Sequence, residues 1–381
     1  MSTNLEFLNS ISPSLHKFGK EKVEPFNHED DVNEFFRWEL WKGFGELGVT
    51  GITTPEQFGG AGLGLTELSQ VLEIIAQYNV AYSVTISVSS MVQSIIKVFG
   101  NSDQQQKYLP ALASGEEIGA FALTEPEAGS DAASLKTKAT VKNGSYVLNG
   151  TKMFISSGGI AKTYIVFART GEAGARGISA FIVRDGTPGF RIGKKEKKMG
   201  WKSSPTCELI FDNCTIPKEN LLSTEGNGFK IAMSALDRGR VTVGAASIGL
   251  AQKALDESVK YALYRKQFNQ SIYEFQGIQF LVAELATEIE AARLLVAKAA
   301  TNFDNQTIDS KIASMAKLKA TDVAMRVTTE AVQIMGGVGY TAEFPLERYM
   351  RDAKVTQIVE GTNQIQKIII AKQIKKELEN I

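Results

Sequence analysis

Histidine and cysteine are scarce in this sequence, with two of each among 381 residues. His16 and His28 both lie in a polar N-terminal stretch, which excludes a Ser-His nucleophile or a cluster of histidine metal ligands. Cys207 and Cys214 stand in a segment that reads as extended chain, where their odd spacing predicts side chains on opposite faces. Neither a disulfide framework nor a metal site is expected, and a reducing, cytoplasmic setting fits. Charge of one sign is not in excess either: 42 Lys and Arg balance 42 Asp and Glu. That balance removes any general pull toward nucleic acid or an anionic membrane. The one basic run, GKKEKK at 193–198, reads as a solvated loop. No apolar run approaches the length needed to span a bilayer. The opening MSTNLEFLNSIS has neither the basic-then-apolar pattern of a signal peptide nor the arginine-rich character of a transit peptide. Acid–base chemistry therefore falls to carboxylates, lysines or tyrosines.

What is present divides into three zones, predicting an α+β chain with an N-terminal α-helical domain (1–117), a middle antiparallel β domain (118–222) and a C-terminal four-helix bundle (223–381). In the first, TELSQVLEIIAQYN places Leu68, Val71, Leu72 and Ile75 at helical spacing, with Thr66 as the expected N-cap. VTISVSSMVQSIIKVFG reads as a more buried helix closed by Gly100. In the second zone short alternating runs (TKATV, SYVLNG, TYIVFAR, ISAFIVR, CELIFDN) are separated by turn residues. Asn143-Gly144 predicts a type I′ hairpin, because both positions of that turn need positive φ, and Asn149-Gly150 reads as another turn. In the third, long helical periodicity covers Gly228 through Tyr264, then 277–302, about 310–335 (broken by GGVGY) and about 363–379, as a bundle requires.

GFGELG formally satisfies G-x-G-x-x-G at Gly43, Gly45 and Gly48, yet FFRWELWK before it reads as helix where the dinucleotide fingerprint needs a strand. A Rossmann site is excluded. More informative is AFALTEPEAGSD at 120–131, an apolar strand that gives way to small and hydroxyl residues, followed by NGTKMFISSGG with Phe154 and Ser156. Either segment reads as an ordinary strand-to-loop passage or as one wall of a flavin site.

Together with QIMGGVGYTAEFPLERYMRDAKVTQIVEGTNQIQ at 333–366, these segments resemble the acyl-CoA dehydrogenase family. SPTCELIFDNCTIPKENLL and NGFKIAMSALDRGRV look most like its short-chain (butyryl-CoA) branch. The resemblance runs from about Gly48 to about residue 374 and leaves only the first forty or so residues unfamiliar. It implies FAD held between the β domain and the bundle. The flavin would meet Phe121, Leu123, Thr124, Gly129 and Ser130 together with Phe154, Ile155 and Ser156. Arg265, Phe268 and Gln276 resemble residues that reach FAD from a neighbouring subunit, a task suited to a guanidinium that is always charged and grips phosphate through paired N–H groups. Gln333, Gly336 and Gly337 would contact the adenosine half, with Thr362 to Gln364 nearby. Ser130, Phe229, Asp237, Arg240 and Gly361 would line the acyl-CoA channel.

By the same resemblance Glu360, in IVEGT, removes the α-proton of the thioester. The expected enolate donors are an FAD ribityl hydroxyl and the Glu360 backbone N–H, and desolvation by the acyl chain is expected to raise the carboxylate's basicity. Some branches carry the base at the position of Gly239, which has no side chain to act. Many close relatives place tyrosine where this chain has Val359, a change expected to reshape the pocket beside the α-carbon. The implied partners are an acyl-CoA, an electron-transferring flavoprotein as acceptor, and further copies of the chain in a homotetramer, with no nucleic acid and no membrane. Three other readings stay open at this point: a carrier-protein thioester as substrate, oxygen as acceptor, and a catalytically silent scaffold.

Overall fold

The computed structural model describes residues 2–379; Met1, Asn380 and Ile381, at the outer limits of the first and third zones, lie outside the described residues. Helices come first: α1 (Ser2–Phe18), α2 (Asn27–Asn33), α3 (Trp38–Glu46), α4 (Leu65–Tyr78), α5 (Val80–Phe99) and α6 (Ser102–Ala113). A sheet follows, made of β1 (Gly119–Ala122), β2 (Lys138–Lys142), β3 (Ser145–Ser156), β4 (Thr163–Arg169), β5 (Ile178–Arg184), β6 (Phe190–Lys195), β7 (Thr206–Pro217) and β8 (Leu221–Leu222). The chain then returns to helix in α7 (Gly228–Tyr264), and a small ribbon, β9 (Lys266–Gln267) with β10 (Gln270–Ser271), turns it into α8 (Gln276–Asp304). Last come α9 (Ser310–Met335), the single turn α10 (Gly337–Tyr340), α11 (Leu346–Thr356) and α12 (Asn363–Glu379). Helices α7, α8, α9 and α12 pack as the bundle, and α4 and α5 lie against α7.

Helix α5 is small or apolar on every face and is buried along nearly its whole length. Contrary to the expectation from the sequence, it is long and apolar enough to cross a membrane by length and composition. However, 78% of its apolar window is buried inside the fold, and its hydroxyls find partners there. Ser83 donates to the Leu72 carbonyl and Ser87 to the Thr242 hydroxyl, while Ser89 accepts the Gly119 N–H. It is a core helix.

Helix α4 begins one residue before Thr66, so Thr66 is not its N-cap. The first amides, Leu65 and Thr66, donate to the two carboxylate oxygens of Asp304 at 2.6 and 3.0 Å. The cap thus comes from the far end of α8, a partner that no local pattern reveals.

The sheet order is β6-β7-β3-β2-β4-β5-β8, with β1 beside β4. It is not purely antiparallel, because β1 pairs with β4 in parallel and β2 meets β4 the same way at Lys138–Arg169. The β2–β3 hairpin intervenes between β1 and β4 and supplies the long crossover a parallel pair needs. Asn143 (φ 50°) and Gly144 (φ 80°) make the predicted hairpin turn. Asn149-Gly150 does not turn the chain: it lies inside β3 at a register shift, where Thr137 occupies the space a Cβ on Gly150 would need. The matching irregularity on β7, Asn213 (φ 49°), rephases that strand. Cys207, Leu209 and Phe211 are buried, and then Cys214 and Ile216. Both free cysteines therefore point inward, and the opposite-face reading fails at this bulge. GFGELG falls in the last turns of α3, with Gly48 (φ 73°) leading out. The first residues of GKKEKK complete edge strand β6 rather than a loop, and Lys198 is half-buried, donating to the Ser204 carbonyl at 2.8 Å.

Candidate active site

Between the end of α11 and the start of α12, Glu360 (φ 55°) and Gly361 (φ 83°) both take left-handed backbone. For glutamate this conformation is uncommon and persists only where its surroundings enforce it. Gln366 Nε2 donates to the carbonyls of Glu360 (3.1 Å) and Gly361 (2.7 Å). From α9, Lys317 Nζ donates to the Gly361 carbonyl (3.1 Å) and to Asn363 Oδ1 (2.7 Å). Held this way, the Glu360 carboxyl turns toward α7 at Gly239, where an added Cβ would overlap both Glu360 Oε2 and Met91 Cε. A side chain at this position would therefore push the Glu360 carboxylate and the Met91 methyl aside.

Glu360 Oε2 is enclosed and has no hydrogen-bond partner. Burial pushes this carboxyl up to about 7, against the opposing pull of Arg240 and Lys317. Burial also pushes Lys317 down to about 7, with Glu360 and Asp322 resisting. Nearby, Arg240 is bonded to Asp237, which also accepts the Ser310 hydroxyl at 2.6 Å, while Arg240 Nε is buried without a partner. An unpartnered carboxylate oxygen and an unpartnered guanidinium N–H in one region are what a ligand site leaves in a well-packed interior.

The 120–131 and 152–156 segments converge through a buried ion pair. Lys152, wholly buried on β3, donates to Glu125 Oε1 (2.7 Å) and to the Leu123 carbonyl (3.0 Å). Glu125 also accepts the amides of Lys136 (2.5 Å) and Thr137 (3.0 Å), and the Thr124 carbonyl accepts Met153 N–H at 2.9 Å. Burial alone would raise Glu125, yet Lys152 and these N–H donors hold it below the usual carboxylate range. Burial lowers Lys152 to about 8. The strand then slips register, and Phe154 (φ 59°) projects outward, 56% exposed. Ile155 is buried and Ser156 half-buried. Gly129 and Ser130 are exposed, with open space beside Gly129. Phe121, Leu123 and Phe229 share one apolar cluster with Met91, which links this wall to the Glu360 side.

The remaining expected residues fall elsewhere. Arg265, Phe268 and Gln276 are exposed on the α7–α8 turn, and Gln333, Gly336 and Gly337 are exposed where α9 ends. Gly239, beside Glu360, is separated from Tyr264 by about 25 residues of continuous helix, hence about 37 Å at 1.5 Å per residue. A single copy therefore does not bring Arg265, Phe268 and Gln276 to Glu360. Thr362 (half-buried) and Gln364 (exposed) flank the Glu360 turn.

Three family models match the chain: the N-terminal domain of acyl-CoA dehydrogenase over residues 8–116, the middle domain over 120–214 and the C-terminal domain over 226–375. The chain belongs to the acyl-CoA dehydrogenase family. The N-terminal match also corrects the expectation that the first forty or so residues stand apart. An acyl-CoA dehydrogenase of Bacillus subtilis is 48% identical over 94% of the chain and 96% of its own length. The structure of butyryl-CoA dehydrogenase from Megasphaera elsdenii is 44% identical, with a TM-score of 0.94 over 96% of this chain and 97% of that one. A chain from structural work on the electron-transferring flavoprotein of Acidaminococcus fermentans and flavin-based electron bifurcation is 47% identical, with a TM-score of 0.94 over the same shares.

This acyl-CoA dehydrogenase is accordingly an FAD-dependent oxidoreductase acting on the CH–CH bond of an acyl-CoA. The residues present fit that cofactor: Phe154 offers a flat exposed face, Gly129 leaves the backbone open to close approach, and Thr124 and Ser156 bring hydroxyls. Lys317, Lys152 and Glu125 were not among the residues singled out from the sequence. Lys317 did leave a signal there, as a lysine on the Ala313–Ala316–Ala320–Ala324 stripe that α9 buries.

Proposed function

We propose that this enzyme converts a short-chain acyl-CoA to its trans-2-enoyl-CoA, with Glu360 removing the α-proton. The supporting observation is the Glu360 carboxylate, whose Oε2 is enclosed, unpartnered and raised to about 7. A thioester α-C–H is a weak acid, so a useful base must be desolvated and poised near working pH. When bound, FAD would supply the acceptor for the β-hydride. The chain's own residues do the rest. The segments Phe121–Ser130 and Phe154–Ser156 hold the flavin in place. Phe229, Asp237, Arg240 and Gly361 line the acyl-CoA channel, with Ser130 at its β-domain side. The Glu360 backbone N–H serves the thioester oxygen as negative charge develops there. The proton taken from Cα rests on the Glu360 carboxylate.

Arg265, Phe268 and Gln276 act in this reading on the FAD of another copy, while Gln333, Gly336 and Gly337 contact the adenosine half, so the enzyme is a homo-oligomer, a tetramer by family resemblance. The distance of Arg265, Phe268 and Gln276 from Glu360 along α7 supports this, as does the exposed apolar surface of Leu263, Tyr264, Phe268, Phe280 and Tyr340. Thr362 and Gln364 join the cofactor site beside the base. An electron-transferring flavoprotein is the acceptor and the cytoplasm the setting. The carrier-protein reading drew on an unfamiliar N-terminal segment, and the family match from residue 8 removes that ground. The test is an anaerobic spectral titration of the holoenzyme with butyryl-, isobutyryl-, hexanoyl- and octanoyl-CoA. Flavin bleaching strongest with the four-carbon thioesters is expected; no bleaching by any acyl-CoA would refute the activity.

A further inference from the structure

Lys317 sits among alanines on the buried stripe of α9 and is 0% exposed. Packing alone does not call for an ammonium there, and removing one from water carries a large desolvation cost. Its bonds go to the turn that carries Glu360, through the Gly361 carbonyl and Asn363 Oδ1. Asn363 is itself anchored, donating to Thr321 Oγ1 (2.9 Å) and Asp322 Oδ1 (2.7 Å).

The charged groups around this turn are few. From α7 comes Arg240, already paired with Asp237. From α9 come Lys317 itself and Asp322, whose carboxylate is taken up by Gln357 and Asn363. From α12 come Asn363 and Gln366, which carry no charge. Among the described residues no carboxylate lies within ion-pair distance of Lys317, and Glu360 Oε2 has no hydrogen-bond donor. An ammonium without a contacting acid thus shares this turn with a carboxylate whose Oε2 has no donor.

We propose that Lys317 is the positioning residue of the catalytic base: it clamps the left-handed Glu360–Gly361 turn and supplies the unpaired positive charge against which the Glu360 carboxylate ionises. This rests on the reading of Glu360 as base. Burial raises Glu360 and lowers Lys317, and against that burial each group makes the other's charged form easier to hold.

The test measures anaerobic flavin reduction by butyryl-CoA against pH in holoenzyme carrying Lys317→Met, Lys317→Gln or Lys317→Arg, with Lys319→Met and Glu360→Gln as references. Both neutral variants are expected to move the midpoint of the rate upward by about one pH unit or more, and so to slow reduction about tenfold at neutral pH. FAD content and KM should change little. Lys317→Gln keeps a donor for the Gly361 carbonyl and covers the case in which the methionine variant does not fold. Lys317→Arg should return the midpoint toward the parent value, and Lys319→Met should leave it there. Loss of thermal stability with an unmoved midpoint in both neutral variants would overturn the proposal, leaving Lys317 a packing residue. Near-normal reduction by Glu360→Gln would instead remove the base assignment and this proposal with it.

Discussion

Replacing Lys152 by methionine tests how the flavin wall is held. The substitution keeps most of the side-chain volume but leaves Glu125, 6% exposed, without its cation, and the Leu123 carbonyl without its 3.0 Å donor. Breaking a buried pair by removing one partner typically costs about 3–5 kcal/mol. The Lys136 and Thr137 amides still reach Glu125, which places the expected cost near the lower end, about 3 kcal/mol. At about 1.4 kcal/mol per factor of ten, hydrogen-exchange protection at those two amides should fall about a hundredfold, with weaker FAD retention because the 120–131 loop is released. Adding Glu125→Gln to Lys152→Met should recover part of the loss, since the uncompensated buried charge is then gone. Unchanged protection and FAD retention in Lys152→Met would refute this account of the wall.

The rate of anaerobic flavin reduction should rise with pH through a midpoint near 7, because Glu360 acts only when ionised and its folded value is about 7; a rate flat from acid to neutral pH would contradict this. The sign for stability is opposite. A carboxyl raised on folding favours the protonated form, so its contribution is present below the ordinary value of 4.5 and is lost as pH climbs to about 7, which chemical denaturation of Glu360→Gln against the parent can show. Gly239→Ala should lower kcat at least tenfold while FAD stays bound, as its Cβ meets Glu360 Oε2 and Met91 Cε; stopped-flow reduction reads this out. Arg265→Glu should lower FAD occupancy while sparing the fold of the single copy, and sedimentation with absorbance at flavin wavelengths would show whether stoichiometric FAD survives in a monomer, the contrary result.

What could be read from the sequence was mostly local. Helix α7 from Gly228 to Tyr264 and the Asn143-Gly144 hairpin followed from periodicity and turn chemistry alone. Misreadings arose where the deciding partner was distant. Thr66 looked like a cap because Asp304 is invisible from α4, and Asn149-Gly150 looked like a turn because the strand it pairs with, which carries the extra residue at Asn213 of β7, is distant in the sequence. The cysteine faces were misjudged because a bulge changes the phase of every later residue on a strand. At the site, Glu360 came from the likeness of IVEGT to a family motif, whereas what a side chain at Gly239 would displace came only from the packing of α7 against the 360 turn. Lys317 and Lys152 show the same division: each is a lysine at a position whose pattern predicts an apolar residue, and only the fold shows what its charge serves.

The most direct test of the central claim is anaerobic stopped-flow reduction of Glu360→Gln holoenzyme by butyryl-CoA. The glutamine keeps the shape of the side chain and removes its ability to take a proton. The variant should retain FAD and bind the thioester, while the reduction rate falls by about two to four orders of magnitude or more. Reduction within a fewfold of the parent rate would show that another group removes the α-proton.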